Sequence, residues 1–249
     1  MKVAVVIATY CRTNGKSPAI LHKMFGCLLK QTHKNFKVFI VGDDYTKKQE
    51  FINIINQYNT KLDIYYKNNP VSLRNNCFKL KMNCWTCGGI LARYEALKQA
   101  IAEKYDVYMH LDDDDIWLPN HIKNYVNVLR TNPRADFIYS KANYKHTTLP
   151  RNIPPNLTIK LNNFNQGVKP ANVVHSSFAF NLKTTKNLLI TLFNARIHTI
   201  QQIRDGKIEE TRLQPFDATQ LAAIKTHNKN CILIPQITCK KIDDVNIPT

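Results

Sequence analysis

Over its first 140 residues the chain alternates short apolar runs with longer amphipathic ones, and this rhythm restricts its fold more than any other feature. Strands are expected at about Lys2–Thr9, Lys37–Gly42, Leu62–Tyr66, Val107–Leu111 and Asp136–Tyr139. Helices are expected between them, at Pro18–Gln31, Lys47–Tyr58, Gly89–Lys104 and Pro119–Thr131. In the third helix Ile90, Leu91, Tyr94, Leu97 and Ile101 fall on one stripe near the helical period. Such alternation gives an α/β fold with a mainly parallel central sheet flanked by helices on both faces. At 249 residues the chain is long enough to build one large domain of this kind.

The rhythm breaks after Asn143. Pro150, Pro154, Pro155 and Pro170, set among many Asn residues, read as a long loop or covering segment reaching Val173. A short apolar run at Phe178–Phe180 then precedes helices expected at Thr184–Arg204 and Asp217–Thr226, and Asn230–Pro235 reads as a last short strand. With no repeat and no linker, residues 1–249 read as a single domain of two parts, 1–140 and 141–249.

The run Asp112-Asp113-Asp114-Asp115 points to chemistry. It follows the apolar stretch Tyr105–Leu111, where a buried strand runs out at its carboxyl end, the edge at which open α/β sheets bind ligands. Adjacent carboxylates repel one another and cannot all be hydrated beside a strand end, so a positive partner is required. Oxygen-only ligands favour a hard divalent cation, Mg²⁺ or Mn²⁺, which keeps positions open for waters and substrate phosphates. The plainer alternative is an acidic turn capping the helix near Pro119. The metal reading is preferred.

Glycine is scarce, at seven residues, and neither G-x-G-x-x-G nor G-x-x-x-x-G-K-[ST] occurs. A glycine-lined phosphate cradle is therefore not expected, and a nucleotide diphosphate would have to be met by metal and side chains. Thr9 and Tyr10 close the first strand with Arg12 just beyond; Tyr10 could stack on a base and Arg12 reach a phosphate, or either could be a surface loop residue. Val41-Gly42-Asp43-Asp44 ends the second strand, where a carboxylate could accept from a base N–H or a ribose hydroxyl, or serve a turn or cap. Arg93, on the helix leading to the aspartate strand, is either a phosphate ligand or an exposed helix arginine. His175 is either a metal or phosphate ligand or a structural histidine. Asp217, after Gln214-Pro215-Phe216, has the form of an N-cap and could equally be a general base; taken alone, the cap is favoured.

The net charge of +17 would attract nucleic acid, anionic lipid headgroups or phosphorylated small molecules. Basic residues are spread along the chain, Lys47-Lys48 and Lys240-Lys241 being mere pairs of the usual solvated kind. No nucleic-acid-binding motif is present, so nucleic acid is not expected, while peripheral membrane contact stays open. Seven scattered cysteines argue against a disulfide framework and read mostly as buried thiols. Cys84-Trp85-Thr86-Cys87 lacks the second ligand pair a zinc site needs. No apolar run reaches bilayer-spanning length and no signal-peptide pattern opens the chain, so a cytoplasmic location is expected.

Four segments, in order, resemble the inverting family-2 glycosyltransferases of the GT-A fold. Val5-Val6-Ile7-Ala8-Thr9-Tyr10-Cys11-Arg12 is similar to the family's opening strand, and Leu28 to Phe36 to its helix-to-strand junction. Val41-Gly42-Asp43-Asp44 resembles the nucleotide-binding turn, and Leu111 to Trp117 the D-x-D metal motif. Ala92-Arg93-Tyr94-Glu95-Ala96-Leu97 is similar to the spore-coat polysaccharide transferase of that family. The likeness covers residues 3–140 well and thins afterwards.

The resemblance implies roles. Thr9, Tyr10 and Asp44 would hold the nucleoside, with Asp44 facing the base, and Arg93 would help with the diphosphate. The metal motif has two registers, Asp112 with Asp114 or, as in the spore-coat enzyme, Asp113 with Asp114. With the first taken as ligands, Asp113 joins Arg12 among the donor-binding residues. Asp217 falls where the family's catalytic base lies, with Phe216 where a second acid often stands, and this reverses the preference for a cap. The implied activity is hexosyl-type transfer from a nucleotide-sugar donor, expected to be a UDP-sugar, to a hydroxyl of a glycan or other acceptor, with inversion. Residues 1–140 would bind the nucleotide-sugar and 141–249 the acceptor. Competing readings are a nucleotidyltransferase, which releases pyrophosphate, a basic nucleic-acid-binding protein without catalysis, and a catalytically silent sugar-nucleotide binder.

Overall fold

The computed structural model describes residues 1–74, 86–144, 147–150, 173–208, 213–227 and 229–241. Strands β1 (Val3–Thr9), β2 (Phe36–Asp43), β3 (Ile64–Asn69) and β4 (Val107–His110) form a parallel block in the order β3-β2-β1-β4. The sheet continues through β5 (Asp115–Trp117), β6 (Phe137–Tyr144), β7 (Thr147–Leu149), β8 (Phe178–Asn181) and β9 (Cys231–Lys241). Its order beyond β4 is β8-β6-β9-β5, with β7 paired to β6, and β8 runs antiparallel to both neighbours. Both parts of the chain therefore share one mixed sheet, parallel through its first four strands.

Side-chain alternation along β1 explains why both faces are covered. Val3, Val5 and Ile7 enter one core with Val38, Ile40, Met109 and Leu111, whereas Ala4 and Val6 enter a second with Phe39, Val41 and Tyr108. Helices α1 (Ser17–Leu29), α2 (Lys48–Asn56) and α4 (His121–Thr131) cover the first face, through residues such as Phe25, Ile55 and Tyr125. Helices α3 (Ile90–Ala102), α5 (Leu182–Arg204) and α6 (Phe216–Thr226) cover the second, with Leu97, Phe193 and Phe216 among their contributions. Asn181 caps α5, its side chain accepting from the Lys183 N–H at 3.1 Å.

The differences from expectation gather where chain direction depends on distant partners. Asp115 caps nothing: it opens β5, pairs with β9 and is fully buried, and α4 starts at His121. The last strand does not stop at Pro235. Ser140 pairs with Ile234 and Lys141 with Ile237, so Pro235 and Gln236 bulge out and β9 resumes toward β5. A proline that cannot donate to the ladder is accommodated by such an irregularity. The supposed loop after Asn143 includes β7, while residues 151–172 lie outside the described segments. Cys27, Cys231 and Cys239 are buried free thiols as expected, but Cys87 is disulfide-bonded. Among the described residues no helix is long and apolar enough to cross a membrane.

Candidate active site

The register of the parallel block aligns its carboxyl ends. Thr9 pairs with Gly42, Asp43 with Asn69, and His110 with Val6, and past these strand ends opens a cavity of about 790 Å³. The cavity gathers Thr9, Tyr10, Arg12, Arg93, Asp112, Asp113, Asp114 and Asp217 on one wall system. Of the sequence candidates, Asp44 is the one that does not line it; Asp43 does. Strand parity accounts for the exchange. Phe39, Val41 and Asp43 share one face of β2, toward α3, whereas Asp44 turns away in a left-handed conformation at φ 55°.

Asp43 has two differently employed oxygens. Oδ2 accepts from Ser72 Oγ at 2.7 Å and from the Gly89 N–H at 2.9 Å, while Oδ1 is buried with no hydrogen-bond partner among the described residues. Burial raises this carboxyl's pKa, against the bonds from Ser72 and Gly89. The Gly89 N–H is aimed by its φ of +69°, and a Cβ there would meet the Ala8 side chain at 3.0 Å. At Gly42 a Cβ would come within 2.3 Å of Asn68 Oδ1, which is committed to the Tyr45 N–H.

The aspartate run divides its work. Asp113 faces Arg12: Nη2 donates to Oδ1 at 2.7 Å, Nη1 to Oδ2 at 2.9 Å, and Thr9 Oγ1 adds a third bond at 2.6 Å. This carboxylate fixes the loop after β1. Burial opposes the Arg12 charge, but Asp113 outweighs it and holds the guanidinium protonated. Arg12 and Arg74 both lie over the Tyr10 ring, at 4.6 and 3.6 Å from its centroid, so this aromatic face is engaged by guanidinium groups. Asp112 accepts from His110 Nε2 at 2.7 Å, and its backbone N–H donates to Ser176 Oγ at 2.8 Å. Burial would raise the Asp112 carboxyl, yet His110, His175 and Lys241 hold it well below the usual range. Asp114 and Asp115 move the other way: burial and neighbouring carboxylates raise both against the pull of Lys241.

Two groups of side chains offer donor atoms within 4.8 Å of one another. Asp112, Asp114 and Asp115 make an all-oxygen group that fits a hard divalent cation, consistent with the D-x-D register on Asp112 and Asp114. His110, Asp112 and His175 make a mixed group, with the two imidazoles stacked at 3.9 Å. His175 is thus not a lone histidine. The β4–β8 pairing delivers it, because the turn His175–Ser177 immediately precedes β8.

Arg93 is not an exposed helix residue. It is buried, Nη2 donates to the Gly88 carbonyl at 3.0 Å and Nη1 to His175 Nδ1 at 3.2 Å. No described carboxylate lies within ion-pairing distance, which leaves a desolvated positive charge facing the cavity. Asp217 lies in the first turn of α6 and is not its N-cap, a position held by Pro215. Its Oδ1 accepts from the Ala218 N–H at 2.8 Å, and burial raises its pKa. Arg196, absent from the sequence candidates, donates to Thr219 Oγ1 and lies 5.5 Å from the Phe216 ring, so it braces the turn that carries Asp217. Arg74, His110 and Lys241 were also absent from the sequence candidates. His110 could have been found from its parity with Tyr108 beside the aspartates; the other two depend on long-range pairing.

Residues 4–189 match the family model described as Glycosyl transferase family 2. An uncharacterised glycosyltransferase of Acanthamoeba polyphaga mimivirus is 28% identical over 258 residues, spanning 99% of this chain and 96% of that protein. Among solved structures, S. aureus TarS in complex with UDP aligns with a TM-score of 0.67 at 16% identity, over 98% of this chain and 61% of its own. The mannosyltransferase PcManGT of Pyrobaculum calidifontis, in complex with GDP-Man and Mn²⁺, aligns with a TM-score of 0.58 at 13% identity, over 99% and 58%. The chain spans about 60% of the length of these structures, and the likeness to them is one of fold.

Proposed function

Because the chain belongs to glycosyl transferase family 2, we propose that the cavity binds a nucleotide-sugar and transfers its sugar to an acceptor hydroxyl with inversion. The observation that carries this reading is Arg93, a buried guanidinium with no carboxylate partner among the described residues, in the same cavity as Asp217 and a cluster of carboxylates. An unpaired buried charge costs several kcal/mol, and a donor diphosphate is the anion that would offset it. A divalent cation held by Asp112 and Asp114 would add positive charge for the departing diphosphate. Arg12, locked by Asp113, lines the same side of the cavity.

Asp43 Oδ1 supports a UDP-linked donor. A buried acceptor suits the imide N–H of uracil, and the N–H of guanine in the same way, but not the unprotonated N3 of cytosine. Asp217 would take the proton of the acceptor hydroxyl as it attacks the anomeric carbon from the face opposite the leaving group. Its raised pKa suits that task, because a base works best near the operating pH. Residues 1–140 would hold the donor and the later segment the acceptor.

The test is product analysis on a panel of nucleotide-sugars with glycan and simple hydroxyl acceptors. Nucleoside diphosphate and an inverted anomer are expected. Asp217→Asn should keep donor affinity and lose transfer by about 10²–10⁴-fold. Pyrophosphate release would identify a nucleotidyltransferase instead, and near-normal turnover by Asp217→Asn would place the base elsewhere.

A further inference from the structure

The carboxylates of the aspartate run already have cationic or histidine partners within the chain. Asp113 is held by Arg12 and Asp112 by His110, while Asp114 and Asp115 share the Lys241 ammonium at 3.5 and 3.4 Å. The β5–β9 ladder puts Lys241 there, as the register partner of Asp115. Its side chain is only 17% exposed, which separates it from an ordinary surface lysine.

Asp114 and Asp115 are also two of the three members of the all-oxygen cluster. Asp115 is fully buried, and among the described residues its Oδ2 makes no hydrogen bond that the geometry satisfies, so the lysine engages only the other oxygen of this carboxylate. An ammonium and a divalent ion drawn to the same carboxylates repel each other strongly at such range. Lys241 also lines the cavity that holds Arg93 and Asp217, so an ammonium leaving the aspartates faces the space assigned to the donor.

We infer that Lys241 is an internal counter-cation that competes with the divalent ion for Asp114 and Asp115, so that the free protein holds the ion weakly. This rests on the metal-assisted reading of the cavity. It makes Lys241 a positioning residue for metal loading and not a catalytic one.

The experiment is titration of the full chain with Mn²⁺ alone, following loss of the free-ion paramagnetic resonance signal, for wild type, Lys241→Met and Lys241→Arg. Lys241→Met should bind Mn²⁺ at least about tenfold more tightly than wild type, and Lys241→Arg should match wild type. Equal or weaker binding by Lys241→Met, or no binding by any of the three proteins, overturns the inference. Lys241→Met also leaves Asp115 buried beside a neutral side chain and is expected to lose stability. Thermal melting therefore gives a second reading: Mn²⁺ should raise the melting temperature of Lys241→Met more than that of wild type, by binding linkage. An equal or smaller rise contradicts the inference. Binding of UDP, GDP and CDP, measured separately, tests the donor reading. Its failure beside an intact Mn²⁺ difference would strike the proposed function and leave the role of Lys241 in place.

Discussion

Asp43 illustrates how one side chain can be committed on one side and free on the other. Its Oδ2 ties β2 to Ser72 and to the amide that opens α3, and its Oδ1 is a buried acceptor with no hydrogen-bond partner among the described residues, on a residue that lines the cavity. Asp43→Asn would keep its oxygen toward Ser72 and Gly89 and turn an NH₂ donor into the cavity. The expected result is inverted base preference, with UDP binding weakened by about ten- to hundredfold and CDP binding gained, as suits the loss of a bond to a charged acceptor. Competitive titration with the two nucleotides checks this. Unchanged preference would remove Asp43 from the base pocket. Arg93 carries the complementary lesson, since the proposed role rests on its having no carboxylate partner among the described residues.

At the scale of elements, β9 does most to complete the site, and it was the least legible from sequence. Pro235 marks a plausible strand end, and nothing local shows that the ladder resumes after a bulge and delivers Lys241 to Asp115. The strand β5 was hidden for a related reason: three residues emerging from an acidic run carry no periodicity of their own. By contrast, β1, β2, β4 and α3 were legible because both faces of the strands and one stripe of the helix are apolar over many residues. Asp44 was read from the position of a motif, and strand parity instead places Asp43, its neighbour, on the cavity wall.

The contact of α4 with β9 carries a pH prediction. His121 is fully buried, stacks on Trp117 at 4.2 Å and bonds to Thr238, and burial pushes its pKa down from 6.5 to about 3. Its folded-state pKa is therefore depressed. The stabilisation is complete above pH 6.5 and is lost as pH falls toward about 3, because the unfolded chain takes up a proton that the folded one refuses. The loss is on the order of a few kcal/mol. His121→Gln should flatten the acid limb of a denaturant-derived stability profile across that window. An unchanged slope would mean that other groups set the acid sensitivity.

At the scale of the whole molecule, one sheet brings an aspartate run, a buried arginine and a carboxylate on a late helix to a single cavity, and family membership supports the proposal that glycosyl transfer takes place there. The +17 charge says less: it favours an anionic ligand of any size, and the local arrangement around Arg93 points to a diphosphate. Calorimetric titration of the wild-type chain with UDP and CDP, each with Mn²⁺ and again with EDTA, tests that conclusion most directly. UDP should bind in the presence of Mn²⁺, lose at least about tenfold in affinity with EDTA, and outcompete CDP. Failure of UDP, and of GDP in the same assay, to bind under either condition would contradict a nucleotide-sugar site in this cavity.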